Sequence, residues 1–165
     1  MKPHQPDGLR VASTRNGLSH QEDDLAQTFA KRSITDETAQ RMVSAAVAKA
    51  RFIGVPQVAA VLDDSGLLKA FCRMDGAPLV SIEVAQNKAY TALFGMPSQE
   101  FYNFIKDDPA LLAGVPHIPR IAIFGGGLPI RVGDAVVGGI GVSGGTVEQD
   151  VACAEAGLEA LKNQN

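Results

Sequence analysis

The sequence has little of several features on which particular kinds of protein depend. It contains no tryptophan, only 5% aromatic residues, and two cysteines, Cys72 and Cys153, too distant in sequence for a CxxC motif. No run of about 20 apolar residues occurs, which excludes a transmembrane helix. The first ten residues lack the apolar core of a secretory signal, so we expect a cytoplasmic protein with two reduced thiols. Both cysteines are predicted to be buried small hydrophobes rather than nucleophiles.

An excess of positive charge is also missing. The chain has 15 Lys and Arg against 18 Asp and Glu, a net charge of −3, and no basic stripe with interleaved aromatic residues. Proteins that bind phosphate backbones concentrate positive charge on one surface. We therefore expect neither a nucleic acid nor a membrane among the partners.

What the chain does have is enough length for one folded domain, since 165 residues can bury a core without disulfides or metals. Residues 1–32 carry prolines and glycines but no sustained apolar period, and are interpreted as an N-terminal extension. This extension is either disordered or forms a short helix from the capping box at Ser19–Glu22. The folded domain is predicted over residues 33–165.

Apolar periodicity and turn residues define the elements of that domain. They predict, in chain order, a helix between Thr35 and Gly54, strands over 57–62 and 67–74, helices over 81–94 and 98–106, strands over 120–124, 128–132 and 135–142, and a helix over 147–161. Residues 109–119 are predicted to be a loop. Hairpin-linked strands with helices at both ends indicate an α+β fold, with an antiparallel sheet flanked by helices.

Glycine is concentrated in one part of the chain, since 10 of the 17 glycines lie between Gly114 and Gly145. Residues 139–144 match G-x-G-x-x-G, the pattern of a dinucleotide site. That site needs a second parallel strand, which cannot follow here, and Glu148 and Asp150 already occupy the helix N-terminus that a pyrophosphate would need. We interpret these glycines as a tight turn between strand and helix.

A second glycine run, Gly125-Gly126-Gly127, precedes a strand that contains Pro129. Proline has no backbone N–H, so this strand is predicted to lie at the edge of the sheet. The glycines form either a mobile hairpin loop or a backbone that a flat ligand or a neighbouring subunit can approach closely. In the second case Gly126 and Gly127 are ligand-binding residues.

His117 is the only histidine of the predicted domain, because His4 and His20 lie in the extension. A lone histidine in a loop is commonly ordinary polar surface. Its functional interpretation is an axial metal ligand, since neutral imidazole binds haem iron. No second histidine or cysteine pair lies at zinc-ligand spacing, so a zinc site is not predicted.

Five charged residues are candidates for a ligand or catalytic site. Arg73, Asp75 and Lys88 are candidates for binding an anionic ligand such as a carboxylate or a haem propionate. The alternatives are that Arg73 pairs with Asp75, and that Lys88 extends to solvent along an apolar helix. Glu148 and Asp150 are candidate general acid–base groups, or they only complement the charge of a helix N-terminus.

Several motifs of the chain together resemble the GlcG/HbpS-like family, which includes the C-terminal domain of PduO-type proteins. They are Arg73-Met74-Asp75-Gly76-Ala77-Pro78, Ser81, Ala85, Lys88-Ala89, Gly126-Gly127-Leu128-Pro129-Ile130, Gly139-x-Gly141-Val142-Ser143-Gly144 and Glu148-Gln149-Asp150. The resemblance covers about residues 33–162. It implies a layered α/β/α, loosely profilin-like fold and homo-oligomers that range from dimers to octamers. Some members bind haem, with links to redox sensing or haem degradation, and others accompany genes of small-molecule catabolism.

Two functional hypotheses follow. The first is an oligomer that binds haem or a related tetrapyrrole between subunits, with His117 as the metal ligand and a possible haem-degrading or redox-linked role. The second is a small catabolic enzyme for an organic acid or an aromatic breakdown product, with isomerase or lyase chemistry. In that enzyme Arg73 and Lys88 would hold the carboxylate, and Glu148 or Asp150 would move the proton. A subunit that only stabilises a partner enzyme is a third alternative.

Overall fold

The computed structural model describes residues 27–162. All the elements below belong to one of the two units into which the chain divides, residues 32–165. The helix predicted from Ser19, and the histidines His4 and His20, lie outside the described residues.

The described part of the chain forms five α-helices, two 3₁₀ turns and four strands. The helices are α1 (Asp36–Phe52), α2 (Ser81–Thr91), α3 (Ser98–Ile105), α4 (Pro109–Gly114) and α5 (Val147–Lys162). The strands are β1 (Val58–Asp63), β2 (Leu68–Arg73), β3 (Gly127–Val132) and β4 (Ala135–Ser143), and the 3₁₀ turns are Ala92–Phe94 and Val115–His117. Within 27–162, no helix combines the length and the apolar character needed to cross a membrane.

The four strands form one antiparallel sheet in the order β2-β1-β4-β3. The α+β fold with an antiparallel sheet, predicted from the apolar patterns, is confirmed. β3, which contains Pro129, lies at an edge of the sheet, so that prediction is also confirmed. The ring of Pro129 removes a donor where a central strand would need one.

Helices cover both faces of the sheet. On β1, Ala59 and Val61 point to a large core shared with α1 and α5, whereas Val58 and Ala60 point to a smaller core with Ala85 of α2. Successive side chains of a strand alternate between faces, so a central strand covered on both sides is apolar throughout. β1 is accordingly buried along nearly its whole length.

Helix α1 forms where the sequence predicts it. The hydroxyl of Thr35 accepts a hydrogen bond from the Thr38 backbone N–H at 3.3 Å, which satisfies one of the free donors of the first turn. Asp36 and Glu37 lie in that first turn, and two cations lie in the last turn, which suits the helix dipole.

Helix α2 lies directly on strand β4 because the two positions of that strand that face the helix are glycine. A Cβ atom on Gly139 would overlap the carbonyl of Ala89, and one on Gly141 would overlap the carbonyl of Ala85. The interpretation of this run as a turn is therefore right only for Gly144, which has φ 138° after the strand ends. The other two glycines lie inside the strand and allow close packing with the helix.

The strand predicted over 120–124 is wrong. Arg120 has φ 69°, a left-handed conformation that an extended strand does not allow. The following residues are held by side chains of helices instead of by a neighbouring strand. The Ala122 N–H donates to the Thr91 hydroxyl at 2.8 Å, and the Phe124 carbonyl accepts from the Ser98 hydroxyl at 2.7 Å.

The loop predicted over 109–119 is also largely wrong, because α4 and a 3₁₀ turn occupy most of it. The Asp108 carboxylate accepts hydrogen bonds from the N–H groups of Ala110 and Leu111 at 2.8 and 3.1 Å. Pro109 follows at the first helical position, which its fixed φ favours. The Asp-Pro pair is the sequence signal that a loop prediction overlooks.

Replacement of Gly141 by alanine is expected to lower the free energy of unfolding by about 3 kcal/mol or more, because the added methyl meets helix backbone rather than a movable side chain. Urea denaturation measures this loss. Gly114→Ala is the matched control, since a Cβ there has no atom within 4 Å apart from its chain neighbours and the backbone of its own helix. We expect its unfolding free energy to change by less than about 1 kcal/mol, in the stabilising direction. Equal stability of both variants would contradict the packing described.

Candidate functional site

The motifs that carry the resemblance meet at one end of the sheet. In the register of the strands, Val58 at the start of β1 pairs with Arg73 at the end of β2 and with Ser143 at the end of β4. Gly127 at the start of β3 pairs with Gly141. Strand ends that are distant in sequence therefore lie side by side. We call this region, with the loops 74–80, 125–126 and 144–146 that adjoin it, the motif end of the sheet.

A buried ion pair lies at the motif end. The ammonium of Lys88, on α2, is 2.6 Å from Oδ2 of Asp150, in the first turn of α5, and the two side chains are 1% and 4% exposed. The same ammonium donates to the carbonyl of Val142 at 3.0 Å. It also lies 5.1 Å from the ring centroid of Phe124, within reach of a cation–π contact.

Asp150 makes further hydrogen bonds that connect separate parts of the chain. Its Oδ1 accepts from Nε2 of Gln57, the residue before β1, at 3.1 Å. It also accepts from the backbone N–H of Gly145 at 3.0 Å. One carboxylate therefore joins α5, the start of the central strand, the 144–146 loop and, through Lys88, helix α2.

Burial and pairing act in opposite directions on Lys88. Loss of water around the ammonium lowers the pKa of Lys88, while the hydrogen bond and the charge of Asp150 raise it. A buried charge without its partner is strongly destabilising. The pair therefore links helices α2 and α5. Either residue could contact a ligand only if this ion pair first dissociated.

Gly126 and Gly127 lie over this ion pair and are buried by their own chain. A Cβ atom on Gly126 would lie 2.9 Å from Lys88 Nζ, and one on Gly127 would overlap the Lys88 carbonyl. The Gly127 N–H donates to the Ser98 hydroxyl at 3.0 Å, and the Gly126 carbonyl accepts from Val142 at 2.9 Å. The close approach seen here is to helix α2. Ligand binding by these two glycines stays a prediction.

The other predicted charged residues are exposed. Arg73 is the last residue of β2 and Asp75 lies two residues later. Neither makes an ion pair with any residue of 27–162, so the alternative pairing between them is not formed. Glu148 is exposed in the first turn of α5, where a backbone hydrogen bond and the Thr146 hydroxyl lower its pKa. The structure brings together Lys88 and Asp150, but it does not bring Arg73 or Glu148 into contact with them.

His117 is the last residue of the 3₁₀ turn after α4, and its side chain is exposed. Two residues earlier, Val115 is buried in a small separate core with Phe101 and Ile105 of α3. This core anchors the turn while leaving the imidazole at the surface. Within the described chain, the His117 imidazole makes no hydrogen bond or ion pair, so both ring nitrogens are available.

The two cysteines differ in accessibility, and both are free thiols. Cys153 is completely buried in α5, and this burial raises its pKa. Cys72 is half-buried on β2, where it borders a groove with Val47 and Phe71. The prediction of two buried thiols therefore holds fully only for Cys153.

Gln57 is a residue of the motif end that the sequence analysis did not predict, and Arg120 makes contacts elsewhere that it also did not predict. The sequence signal for Gln57 is its position as the polar first residue of an otherwise apolar segment. A buried polar side chain there needs a hydrogen-bond partner. Arg120 carried no such signal. Its conformation and its contact with Tyr90, at 4.0 Å from guanidinium carbon to ring centroid, arise only when distant segments fold together.

Comparison with known proteins gives a consistent set of relatives. The family model described as "Haem degrading protein HbpS-like" matches residues 34–159. A 15.0 kDa protein from the dhaT-dhaS intergenic region of Citrobacter freundii is 40% identical over 131 residues, which cover 78% of this chain and 92% of that protein.

Solved structures show the same fold. Protein ORFY of Klebsiella pneumoniae superposes with a TM-score of 0.79 and 34% identity, over 84% of this chain and 97% of that one. A complex of PduOC with haem superposes with a TM-score of 0.72 and 31% identity, over 78% of this chain and 94% of that one.

Loss of the Lys88 charge is expected to destabilise the protein because it leaves Asp150 buried and unpaired. Lys88→Met should lower the free energy of unfolding by about 3–5 kcal/mol in urea denaturation. Lys88→Met combined with Asp150→Asn should lose less unfolding free energy than the single variant, since no unpaired charge then remains.

Lys162→Met is the control, because the Lys162–Glu159 pair has the same 2.6 Å separation but is exposed. Its loss should cost at most about 0.5 kcal/mol. Equal losses at Lys88 and Lys162 would contradict the assigned role.

Alkylation of the folded protein with iodoacetamide should modify Cys72 before Cys153. The raised pKa of Cys153 leaves less thiolate at any given pH, and its burial restricts reaction to opened molecules. Peptide mass spectrometry is expected to show reaction at Cys153 about 100-fold slower than at Cys72. Both should react alike in concentrated urea, and equal rates in the folded state would contradict the burial of Cys153.

Proposed function

Because the chain belongs to the HbpS-like family of haem-degrading proteins, we propose that it binds haem or a related tetrapyrrole, with His117 as the axial ligand. A relative of 31% identity forms a complex with haem, which supports this class of ligand. The single observation that carries the proposal for this chain is the exposed imidazole of His117, which has no partner within residues 27–162.

The residues around His117 fit a flat apolar ligand. Ile118, the next residue, is 53% exposed, and Leu111 and Leu112 of α4 expose 37% and 41% of their surface. Phe124, near in sequence, is also exposed. Exposed apolar side chains in one segment favour a binding surface rather than ordinary solvent-facing structure. An imidazole beside apolar side chains is a donor set that suits haem iron.

The surface around His117 is exposed within its own chain. We therefore propose that a second copy would cover a haem bound there, within a homo-oligomer of the dimer-to-octamer range implied by the resemblance. The apolar residues named above would serve both contacts, because burial of their surface favours association. Arg73, Asp75, Gly126 and Gly127, the ligand contacts predicted from the sequence, lie at the motif end and form no part of this proposed site. The two free thiols suit a reducing compartment, so the proposal includes a cytoplasmic location.

Haem, when bound, supplies redox and oxygen chemistry, and the protein determines its position and surroundings. His117 would bind the iron through one ring nitrogen. The leucines of α4 and Ile118 would exclude water from the ring, while the small core of Phe101, Ile105 and Val115 holds the segment in place. A haem-degrading or redox-linked role of the protein would rest on this arrangement.

Titration of the purified protein with hemin tests the proposal. We expect a saturable Soret band shift, and a resonance Raman spectrum typical of imidazole ligation. His117→Ala should weaken binding by about 100-fold or more and remove the imidazole signature. Circular dichroism of the variant should match the parent, because the His117 side chain is exposed.

The matched control is His20→Ala, a histidine of the predicted extension. Its titration should coincide with that of the parent protein. Absence of a saturable Soret shift in the parent would contradict haem binding. A normal shift with retained imidazole ligation in His117→Ala would contradict the assigned ligand.

A further inference from the structure

A polar cleft borders Arg120, and none of the functions above uses it. It has a volume of about 330 Å³ and is lined by Glu83, Gln86, Asn87 and Arg120. Glu83, Gln86 and Asn87 lie on one face of helix α2, within about one turn of each other. Arg120 comes from the segment before β3. The volume is that of a small-molecule site.

Arg120 is held firmly at the wall of this cleft. Its Nη2 donates to the carbonyl of Gly66, in the β1–β2 turn, at 2.8 Å, and its guanidinium lies 4.0 Å from the ring centroid of Tyr90. Among the described residues, Arg120 is also the one non-glycine residue with positive φ. Such a conformation is costly and persists where surrounding contacts maintain it.

These contacts leave most of the guanidinium donors unused. Arginine has five N–H donors, and a single hydrogen bond from Arg120 to the described chain is present. The side chain is therefore pre-oriented, with its loss of conformational freedom already incurred, and it can present a fork of two donors to a carboxylate.

The remaining groups of the cleft are suited to the rest of such a ligand. Asn87 has a side-chain amide without a hydrogen bond inside residues 27–162 and can add a donor to the carboxylate. Gln86 donates from Nε2 to the Ile82 carbonyl at 3.0 Å, which leaves its Oε1 as an acceptor. The Glu83 carboxylate is exposed and forms no ion pair with Arg120.

We infer that this cleft binds a small carboxylic acid that also carries a hydrogen-bond donor, either a hydroxyl or an ammonium group. The carboxylate contacts the Arg120 fork and Asn87, and the donor contacts the Glu83 carboxylate. A simple carboxylate would leave Glu83 without a partner and would be repelled by its charge. The inference stands on this cleft alone and does not depend on haem or on His117.

NMR titration of the ¹⁵N-labelled full chain tests the inference with three probes of similar size, L-lactate, L-alanine and propionate. We expect saturable shifts of the Arg120 Nε–Hε signal and of the Gly66 amide with lactate or alanine. The affinity for propionate, which lacks the donor, should be lower by about tenfold or more. A preference for alanine identifies an ammonium group, and a preference for lactate identifies a hydroxyl group, as the second anchor.

Two variants locate the site. Arg120→Lys keeps the charge but removes the planar fork, and it should weaken binding of the preferred probe by about tenfold. Glu83→Gln, at an exposed helix position, should weaken that probe while leaving or improving the affinity for propionate. The Glu83→Gln titration can still be interpreted if Arg120→Lys changes the NMR spectrum of the whole protein. Arg51→Lys, an exposed arginine of α1, should bind as the parent does.

The inference would be overturned if none of the three probes gave saturable shifts at concentrations up to about 50 mM. Equal affinities for propionate and the preferred probe would also overturn it, as would unchanged binding in both Arg120→Lys and Glu83→Gln.

Discussion

The ion pair between Lys88 and Asp150 is the interaction on which the arrangement of the domain depends. It can form only because helix α2 lies against the side-chain-free positions Gly139 and Gly141 of β4, which brings the Lys88 ammonium to the start of α5. The carboxylate then also fixes Gln57 at the beginning of the central strand. Two helices on opposite faces of one sheet are thus connected through its end. A pair of charges in this position is tolerable because each is also hydrogen-bonded to other groups.

This constraint explains four of the glycines. Gly139 and Gly141 of β4 admit the backbone of α2, and Gly126 and Gly127 admit the Lys88 side chain and its carbonyl. Their function is close packing within one chain, and it does not require flexibility. The space around the ion pair is thereby filled by the protein itself. Exposed surfaces with unused chemistry include the segment from α4 to His117 and the cleft beside Arg120.

The sequence predicted the elements whose signals are local. Helix α1 has its cap, its acidic first turn and its apolar period in one stretch, and Pro129 marked an edge strand. The failures came where distant contacts decide. Residues 121–124 are a short apolar run like that of a buried strand, but Thr91 and Ser98 supply the hydrogen bonds of Ala122 and Phe124, and Arg120 turns the chain. The candidates Lys88 and Asp150 were identified separately, since nothing in their spacing of 62 residues reveals that they bind each other.

The central claim is that the buried ion pair at the motif end has a structural role, and that the ligand binds at the surface around His117. Ferric haem is paramagnetic and broadens the NMR signals of nearby methyl groups, so a methyl spectrum of the hemin-loaded protein tests this claim most directly. The account predicts broadening of Leu111, Leu112 and Ile118, with sharp signals from Val142 beside the ion pair. Broadening centred on Val142, with the α4 leucines unaffected, would contradict it.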